Sequence, residues 1–201
     1  CEKAQQLGAK VVAMYDSNGY IYAPNGIQLD VIKQIKEVER ARIKEYANRV
    51  PGSTYTEGCK GIWTIPCDVA LPCATQNEIN LDEAKKLVAN GVKYYIEVAN
   101  MPTTEEAMEY FNEAKFVIVA PSKAVNAGGV CVSGLEMSQN SQRLNWTAEK
   151  VDKHLHDAMV NIHDASVAAA EKYGLGYDLV AGANIAGFEK VADAMMAQGI
   201  F

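Results

Sequence analysis

Short apolar runs alternate with amphipathic stretches through the first 120 residues of this chain, and the connections between them are short. Apolar runs of about four to eight residues indicate buried strands, and charged stretches with apolar residues three or four apart indicate helices. Strands separated by helices form a parallel sheet with right-handed crossovers. The predicted strands are residues 10–15, 67–71, 92–98 and 116–120.

Helix boundaries follow from capping residues and from glycines and prolines that stop helices. Asn80 with Glu83 is typical of a capping box, and so is Thr103 with Glu106. Thr147 is typical of an N-cap. The predicted helices are residues 28–50, 80–89, 103–113, 136–140, 148–173 and 187–198, with the segment 180–185 separating the last two.

Residues 120–140 form the segment around which a site is predicted. Gly128 and Gly129 come soon after the fourth strand, which predicts a loop whose backbone lies close to a ligand. In open α/β sheets, ligands bind outside the carboxyl ends of the strands. The segment therefore predicts a site for a small polar molecule, in which Lys123 binds an anion, acts as a base or is simply solvated. Its polar side chains are Ser122, Lys123, Asn126, Ser133 and Asn140.

The order of elements resembles half of a dinucleotide-binding fold. Such a half normally begins with a strand and a Gly-rich turn, but no GxGxxG pattern occurs here. We therefore expect a Rossmann-like, doubly wound, mostly parallel α/β sheet that lacks its first strand and Gly-rich turn, followed by C-terminal helices. We assign residues 1–135 to the dinucleotide-binding domain fragment and residues 136–201 to a C-terminal helical segment packed on the same domain.

Asp16 directly follows the first predicted strand. An acidic residue at the end of such a strand can hydrogen-bond the adenosine ribose of a dinucleotide. Residues 16–19 (DSNG) are also an ordinary turn sequence, so a turn aspartate is an equally good interpretation.

Composition excludes several classes of function. A formal net charge of −6 without a cluster of basic residues argues against binding nucleic acid, and no apolar run approaches the roughly 20 residues of a membrane span. Five scattered cysteines without a CxxC pair indicate reduced thiols, hence a cytoplasmic protein. The three histidines lack the spacing of metal ligands, so we expect no metal.

Five segments of the chain carry a family resemblance. They are residues 71–77 (LPCATQN), 97–104 (EVANMPTT), 120–130 (APSKAVNAGGV), 133–140 (SGLEMSQN) and 182–188 (GANIAGF). In this order they closely resemble the bacterial hexameric glutamate dehydrogenases. The resemblance runs from about residue 8 to the last residue and covers only that family's coenzyme-binding domain and C-terminal helices.

The resemblance implies reversible oxidative deamination of L-glutamate to 2-oxoglutarate and ammonia, with hydride transfer to NADP or NAD. It implies that Ser133 holds the side-chain carboxylate of glutamate and that the backbone around Val130 lines the wall where substrate meets nicotinamide. The catalytic residues are expected in the family's N-terminal domain, which this sequence does not contain. The implied cofactor-binding residues are Asp16, Ser17, Ala74, Thr75, Gln76, Asn100 and Asn126.

The choice of cofactor depends on Asp16 and Ser17. The general rule takes an acid at this position as a sign of NAD preference. Members of the family that use NADP nevertheless often carry Asp-Ser here, and this chain does so too. The resemblance therefore favours NADP.

The resemblance also implies partners and leaves alternatives open. It implies a homo-hexamer for the intact protein, and a monomer or dimer without turnover for the 201 residues alone. One alternative is a dehydrogenase of another amino acid, which needs an apolar residue where Ser133 stands. The other is a catalytically silent nucleotide-binding module.

Overall fold

The computed structural model describes residues 1–199. The chain forms two compact units, residues 1–66 and residues from Cys67 onward. The sequence-based division at residue 135, between the dinucleotide-binding fragment and the C-terminal helical segment, stays a prediction.

The first unit is a three-stranded antiparallel sheet with short helices. Its strands are β1 (Ala13–Tyr15), β2 (Gly19–Tyr22) and β3 (Thr54–Glu57), in the order β1-β2-β3. Its helices are α1 (Glu2–Gln6), α2 (Leu29–Lys33), which continues as a π-helical turn (Gln34–Val38), α3 (Glu45–Arg49) and a 3₁₀ helix (Cys59–Thr64).

The expectation that the first predicted strand, residues 10–15, joins the parallel sheet is wrong. β1 pairs antiparallel with β2, Ala13 lying opposite Tyr22. The reason is the turn between them, in which the amide of Asp16 donates to the carbonyl of Gly19 at 2.9 Å and closes a hairpin. Burial alternates along residues 19–22, as is typical of a strand with one face packed on a core.

The predicted single helix over residues 28–50 is also wrong. Arg40 takes a left-handed backbone conformation with φ of 52°, and α3 begins only at Glu45. The break lets Ile43 and Tyr46 pack with Ile35 in the buried core of this unit, so core packing overrides the helical pattern.

The second unit contains the predicted parallel sheet. Its strands are β4 (Val69–Ala70), β5 (Tyr94–Ile96) and β6 (Ile118–Ala120), in the order β4-β5-β6 and parallel throughout. All four predicted strands therefore exist, three of them pair in parallel as predicted, and the Rossmann-like α/β character of the chain is confirmed. The helices are α4 (Leu81–Ala89), α5 (Glu105–Glu113), α6 (Ser122–Val125), α7 (Ala127–Gln142), α8 (Ala148–Lys172) and α9 (Leu179–Gln198).

Helix α4 begins with the predicted capping box. The side chain of Asn80 accepts a hydrogen bond from the amide of Glu83, and the side chain of Glu83 accepts one from the amide of Asn80. The second predicted box is wrong: α5 has Thr104 as its N-cap without a side-chain cap, and Thr103 instead shares a 2.6 Å hydrogen bond with the hydroxyl of Tyr95. Tyr95 stacks on Phe111 of α5 with ring centroids 4.2 Å apart, which joins the helix to the sheet. The predicted cap of α8 is confirmed, since Thr147 accepts from the amide of Lys150.

The glycine pair that predicted a loop lies inside helix α7. A Cβ on Gly128 would lie 3.1 Å from Leu155 Cδ1 and 3.3 Å from Met159 Sδ, so this glycine allows α7 to approach α8. The break predicted over residues 180–185 is likewise wrong. Helix α9 starts at an N-cap, Asp178, whose side chain accepts from the amide of Ala181 at 2.9 Å.

Candidate functional site

Three connections leave the carboxyl ends of the parallel strands: the loops 71–77 and 97–103, and residues 121–126, which contain the short helix α6 and are called the loop after β6 below. Backbone bonds join the first two, because the amides of Val98 and Ala99 both donate to the carbonyl of Pro72, at 3.2 and 2.9 Å. Farther out, the amide of Asn77 donates to the carbonyl of Met101 at 2.9 Å. The loops therefore form one hydrogen-bonded platform at the end of the sheet where ligands of this fold class bind.

Two predicted cofactor-binding residues meet on this platform. Asn126 Nδ2 donates to Asn100 Oδ1 at 2.6 Å, linking the loop after β6 to the loop after β5. Asn100 is exposed and Asn126 half-buried, so each amide keeps donor and acceptor capacity for a ligand.

Ala74, Thr75 and Gln76 are exposed in the loop after β4. The amide of Ala74 donates to Glu78 Oε1 at 3.1 Å, and Asn77 has a left-handed φ of 54°. This is a short, bonded turn that presents its remaining polar groups outward, as a surface for a ribose or a phosphate requires.

Lys123 is exposed, yet it is not simply solvated, because its Nζ donates to Asn184 Oδ1 on α9. The contact joins residues 61 positions apart in the chain. Lys123 therefore anchors α9 to the loop after β6 and still places a cation beside the platform.

The predicted substrate residues Val130 and Ser133 lie three residues apart on α7 and so share one side of that helix. Val130 is 76% exposed, and Ser133 is exposed with its Oγ donating to the carbonyl of Gly129 at 3.2 Å. Such a local bond of a helical serine is easily exchanged for a bond to a ligand.

Asp16 and Ser17 belong to the first unit and form an arrangement of their own there. The side chain of Asp16 is only 12% exposed. Its Oδ1 accepts from the amide of Asn18 and its Oδ2 from the amide of Ile43, both at 3.0 Å, and Lys36 Nζ lies 3.7 Å from Oδ2. Arg42 Nη1 donates to the hydroxyl of Ser17 at 3.0 Å.

The contacts of Asp16 determine its ionisation. Burial raises its pKa, but the hydrogen bonds from Ile43 and Asn18 and the positive charge of Lys36 outweigh burial, so the pKa lies below its usual value. The ionised side chain of Asp16 thus joins the turn at Asn18 to the backbone at Ile43, a role called a brace below.

Sequence reasoning missed three residues at these places. Glu97 is 4% exposed at the base of the loop after β5, and Lys36 and Arg42 flank the turn at Asp16 and Ser17. The signal for Glu97 is its spacing, two residues after the buried Tyr95 on the same face of the strand. No sequence signal identifies Lys36 and Arg42, since the helix break places them.

The donor set at the sheet edge fits a dinucleotide. Side-chain amides in contact, an exposed turn of small residues and a nearby lysine supply the neutral donors and acceptors that ribose and carboxamide groups require. Within residues 1–199, no group of three or more His, Cys, Asp or Glu side chains could hold a metal ion. In the same range, no helix is both long and apolar enough to cross a membrane.

A family model described as Glutamate/Leucine/Phenylalanine/Valine dehydrogenase matches residues 1–199. The chain belongs to this family. The match confirms the family resemblance that the sequence segments indicated.

Curated relatives agree with the family model. The chain is 56% identical to the NAD-specific glutamate dehydrogenase of Clostridium symbiosum, over 99% of this chain and 45% of that protein. It is 52% identical to the NADP-specific glutamate dehydrogenase of Haemophilus influenzae, over 100% of this chain and 45% of that protein. The chain thus spans less than half the length of these relatives.

Solved structures are similar over the whole fold. One glutamate dehydrogenase superposes with a TM-score of 0.91 at 56% identity, covering 98% of this chain and 44% of its own. The hetero-hexameric glutamate dehydrogenase from Thermus thermophilus, in its Leu-bound form, superposes with a TM-score of 0.83 at 25% identity, covering 100% of this chain and 44% of its own.

Proposed function

We propose that this chain is the cofactor-binding part of a glutamate dehydrogenase that reversibly converts L-glutamate to 2-oxoglutarate and ammonia. Within this family, the observation that carries the proposal is the contact of Asn100 with Asn126 at the carboxyl edge of the parallel sheet. The high identity to relatives named glutamate dehydrogenase supports the choice of substrate.

Bound NADP or NAD would supply the acceptor for the hydride that leaves the α-carbon of glutamate. The chain's own part is to bind and orient. Asn100 and Asn126 supply amide groups, and the turn of Ala74, Thr75 and Gln76 supplies backbone and side-chain donors at the same sheet edge. The proton transfers are assigned to the part of the intact protein that this sequence does not contain.

Ser133 is proposed to hold the side-chain carboxylate of glutamate, with the backbone at Val130 beside it. The support is that Ser133 is exposed on α7 and commits its hydroxyl only to a weak bond within its own helix. A hydroxyl donor suits a carboxylate and penalises an apolar side chain, which favours glutamate over leucine, phenylalanine or valine.

NADP is the proposed cofactor. Both oxygens of Asp16 already accept bonds from their own unit, so this acid has little capacity left for ribose hydroxyls. Arg42 and Lys36 instead place two cations beside Ser17 and Asp16. A phosphate group is the ligand that a serine hydroxyl and two such cations bind best.

For the intact protein we propose a homo-hexamer in the cytoplasm. A hetero-hexameric neighbour of similar fold supports the assembly, and five free cysteines support the reducing compartment. The 201 residues by themselves are proposed to bind cofactor as a monomer or dimer without turning over glutamate.

The test is turnover by the full-length gene product with glutamate, leucine and phenylalanine, each with NADP and NAD. We expect activity with glutamate, and a Ser133→Ala variant whose KM for glutamate rises about tenfold while its cofactor KM stays unchanged. Ser138→Ala, another helical serine of α7, is the matched control. Activity with leucine or phenylalanine alone would assign the chain to another amino acid, and no activity with any substrate would refute the proposal.

A further inference from the structure

Glu97 is a buried acidic residue at the carboxyl edge of the parallel sheet. The residue is 4% exposed, and it directly follows β5. Its amide donates to the carbonyl of Ala120 at 3.0 Å and so continues the pairing of β5 with β6 by one bond. The next two amides donate to Pro72, so all three exit loops are joined at this point of the chain.

The carboxylate of Glu97 makes one further connection. Its Oε2 accepts from the amide of Ser122, the first residue of α6, at 2.8 Å. Burying a carboxyl group is unfavourable unless it is hydrogen-bonded, and bonds to a carboxylate are about twice as strong as neutral ones. The bond therefore fixes α6 to the base of the loop after β5.

Helix α6 needs such a support because it has only four residues. A helix this short has little stability of its own. Asn126 directly follows it and donates to Asn100, which lies three residues after Glu97. The two segments are thus joined at the base by Glu97 and Ser122 and at the tip by Asn100 and Asn126.

We propose that Glu97 is a positioning residue for cofactor binding, which holds α6 so that the amide of Asn126 faces the cofactor in one orientation. The proposal rests on the function proposed above. Glu97 itself makes no contact with the cofactor. Its effect passes through Ser122 and Asn126.

The experiment measures the Kd of NADPH and NADH, by fluorescence, for variants of the full-length gene product. Glu97→Gln keeps the size of the side chain and weakens the bond. Ser122→Pro removes the donor from the other end, and proline is tolerated at the first position of a helix. The structural control is Glu83→Gln, since Glu83 is equally buried but belongs to the capping box of α4.

We expect Glu97→Gln and Ser122→Pro each to raise the cofactor Kd about tenfold, and the pair together to raise it no further. In an Asn126→Ala background, Glu97→Gln should change the Kd less than about twofold, because its effect passes through Asn126. Amide hydrogen exchange of residues 123–126 in cofactor-free protein should be faster in both single variants. Glu83→Gln should lower the melting temperature and leave the Kd unchanged.

The outcomes separate this inference from the proposed function. Wild-type protein that binds neither NADPH nor NADH would refute both. Wild-type binding with an unchanged Kd in Glu97→Gln, or full additivity with Asn126→Ala, would refute the positioning role alone. If Glu97→Gln fails to fold, Ser122→Pro still decides the question, because it leaves the carboxyl group in place.

Discussion

The two units of this chain each place an acidic residue after a strand, Asp16 after β1 and Glu97 after β5. Both side chains are largely buried, and both accept a bond from the backbone of a distant segment, at Ile43 and at Ser122 respectively. The surroundings differ. Both carboxylate oxygens of Asp16 already have partners, namely two backbone amides and Lys36. The segment held by Glu97 instead ends in the side-chain amides of Asn100 and Asn126, which can make further hydrogen bonds to a ligand.

The comparison teaches that an acid at a strand end is not by itself a ligand contact. In both units the acid braces the backbone, and the groups open to a ligand lie beyond it. In the second unit these groups are Asn100 and Asn126, and in the first they are Ser17 and Arg42. Substitutions of the brace and of the open groups should therefore have different effects, on stability and on affinity.

The largest effect is expected from Asn126→Ala. It removes an open group of the second unit and leaves Asn100 without its partner, so we expect the cofactor Kd to rise about thirtyfold for NADPH and NADH alike. The melting temperature should change little, because Asn126 is only half-buried. Fluorescence titration measures the first and thermal unfolding the second, with exposed Asn112→Ala of α5 as the control. A lower melting temperature with unchanged cofactor affinity would mean that Asn126 stabilises the fold and does not contact the cofactor.

A smaller and more selective effect is expected from Arg42→Ala. This change removes the cation that bonds Ser17, so the KM for NADP should rise about tenfold while the KM for NAD stays within about twofold. Exposed Lys44→Ala is the matched control for a general loss of positive charge. Equal losses with both cofactors would exclude a phosphate contact at Arg42.

The sequence predicted the second unit better than the first, for a physical reason. β4, β5 and β6 are parallel strands that lie within apolar runs of the sequence, and short connections follow them directly. In the first unit, residues 28–50 carry a helical pattern that local propensity supports. The pairing of Asp16 with Ile43 and the burial of Tyr46 break that helix, and neither contact is visible in a local pattern.

The site shows the same limit. The family resemblance implied Asn100, Asn126 and the turn at Ala74, and their places after strands whose ends meet at one edge of the sheet are consistent with it. The sequence predicts a loop at Gly128, since a sequence does not distinguish a glycine needed for an unusual φ from one needed for close helix packing. Glu97 was missed because its partner, Ser122, is 25 positions away.

The smallest effect is expected from Asp16→Asn, which weakens the brace of the first unit. We expect a loss of about 1 kcal/mol in the free energy of unfolding at pH 7, because the amide accepts less strongly from Ile43 and Asn18. The loss should depend on pH. The folded-state pKa of Asp16 is below its usual value of 3.8, so its contribution is complete above that value and disappears as the pH falls through the folded-state pKa.

Urea unfolding of wild type and Asp16→Asn from pH 7 down to pH 3 measures this dependence. The two curves should approach each other as the pH falls below 3.8, whereas exposed Glu57→Gln of β3 should follow the wild type throughout. A constant difference at every pH would mean that the side chain acts by shape and not by charge. If Asp16→Asn weakens NADPH binding by more free energy than it removes from the stability, Asp16 is instead a ligand contact. In that case the difference between residues that hold the backbone and residues that contact the ligand does not apply to the first unit.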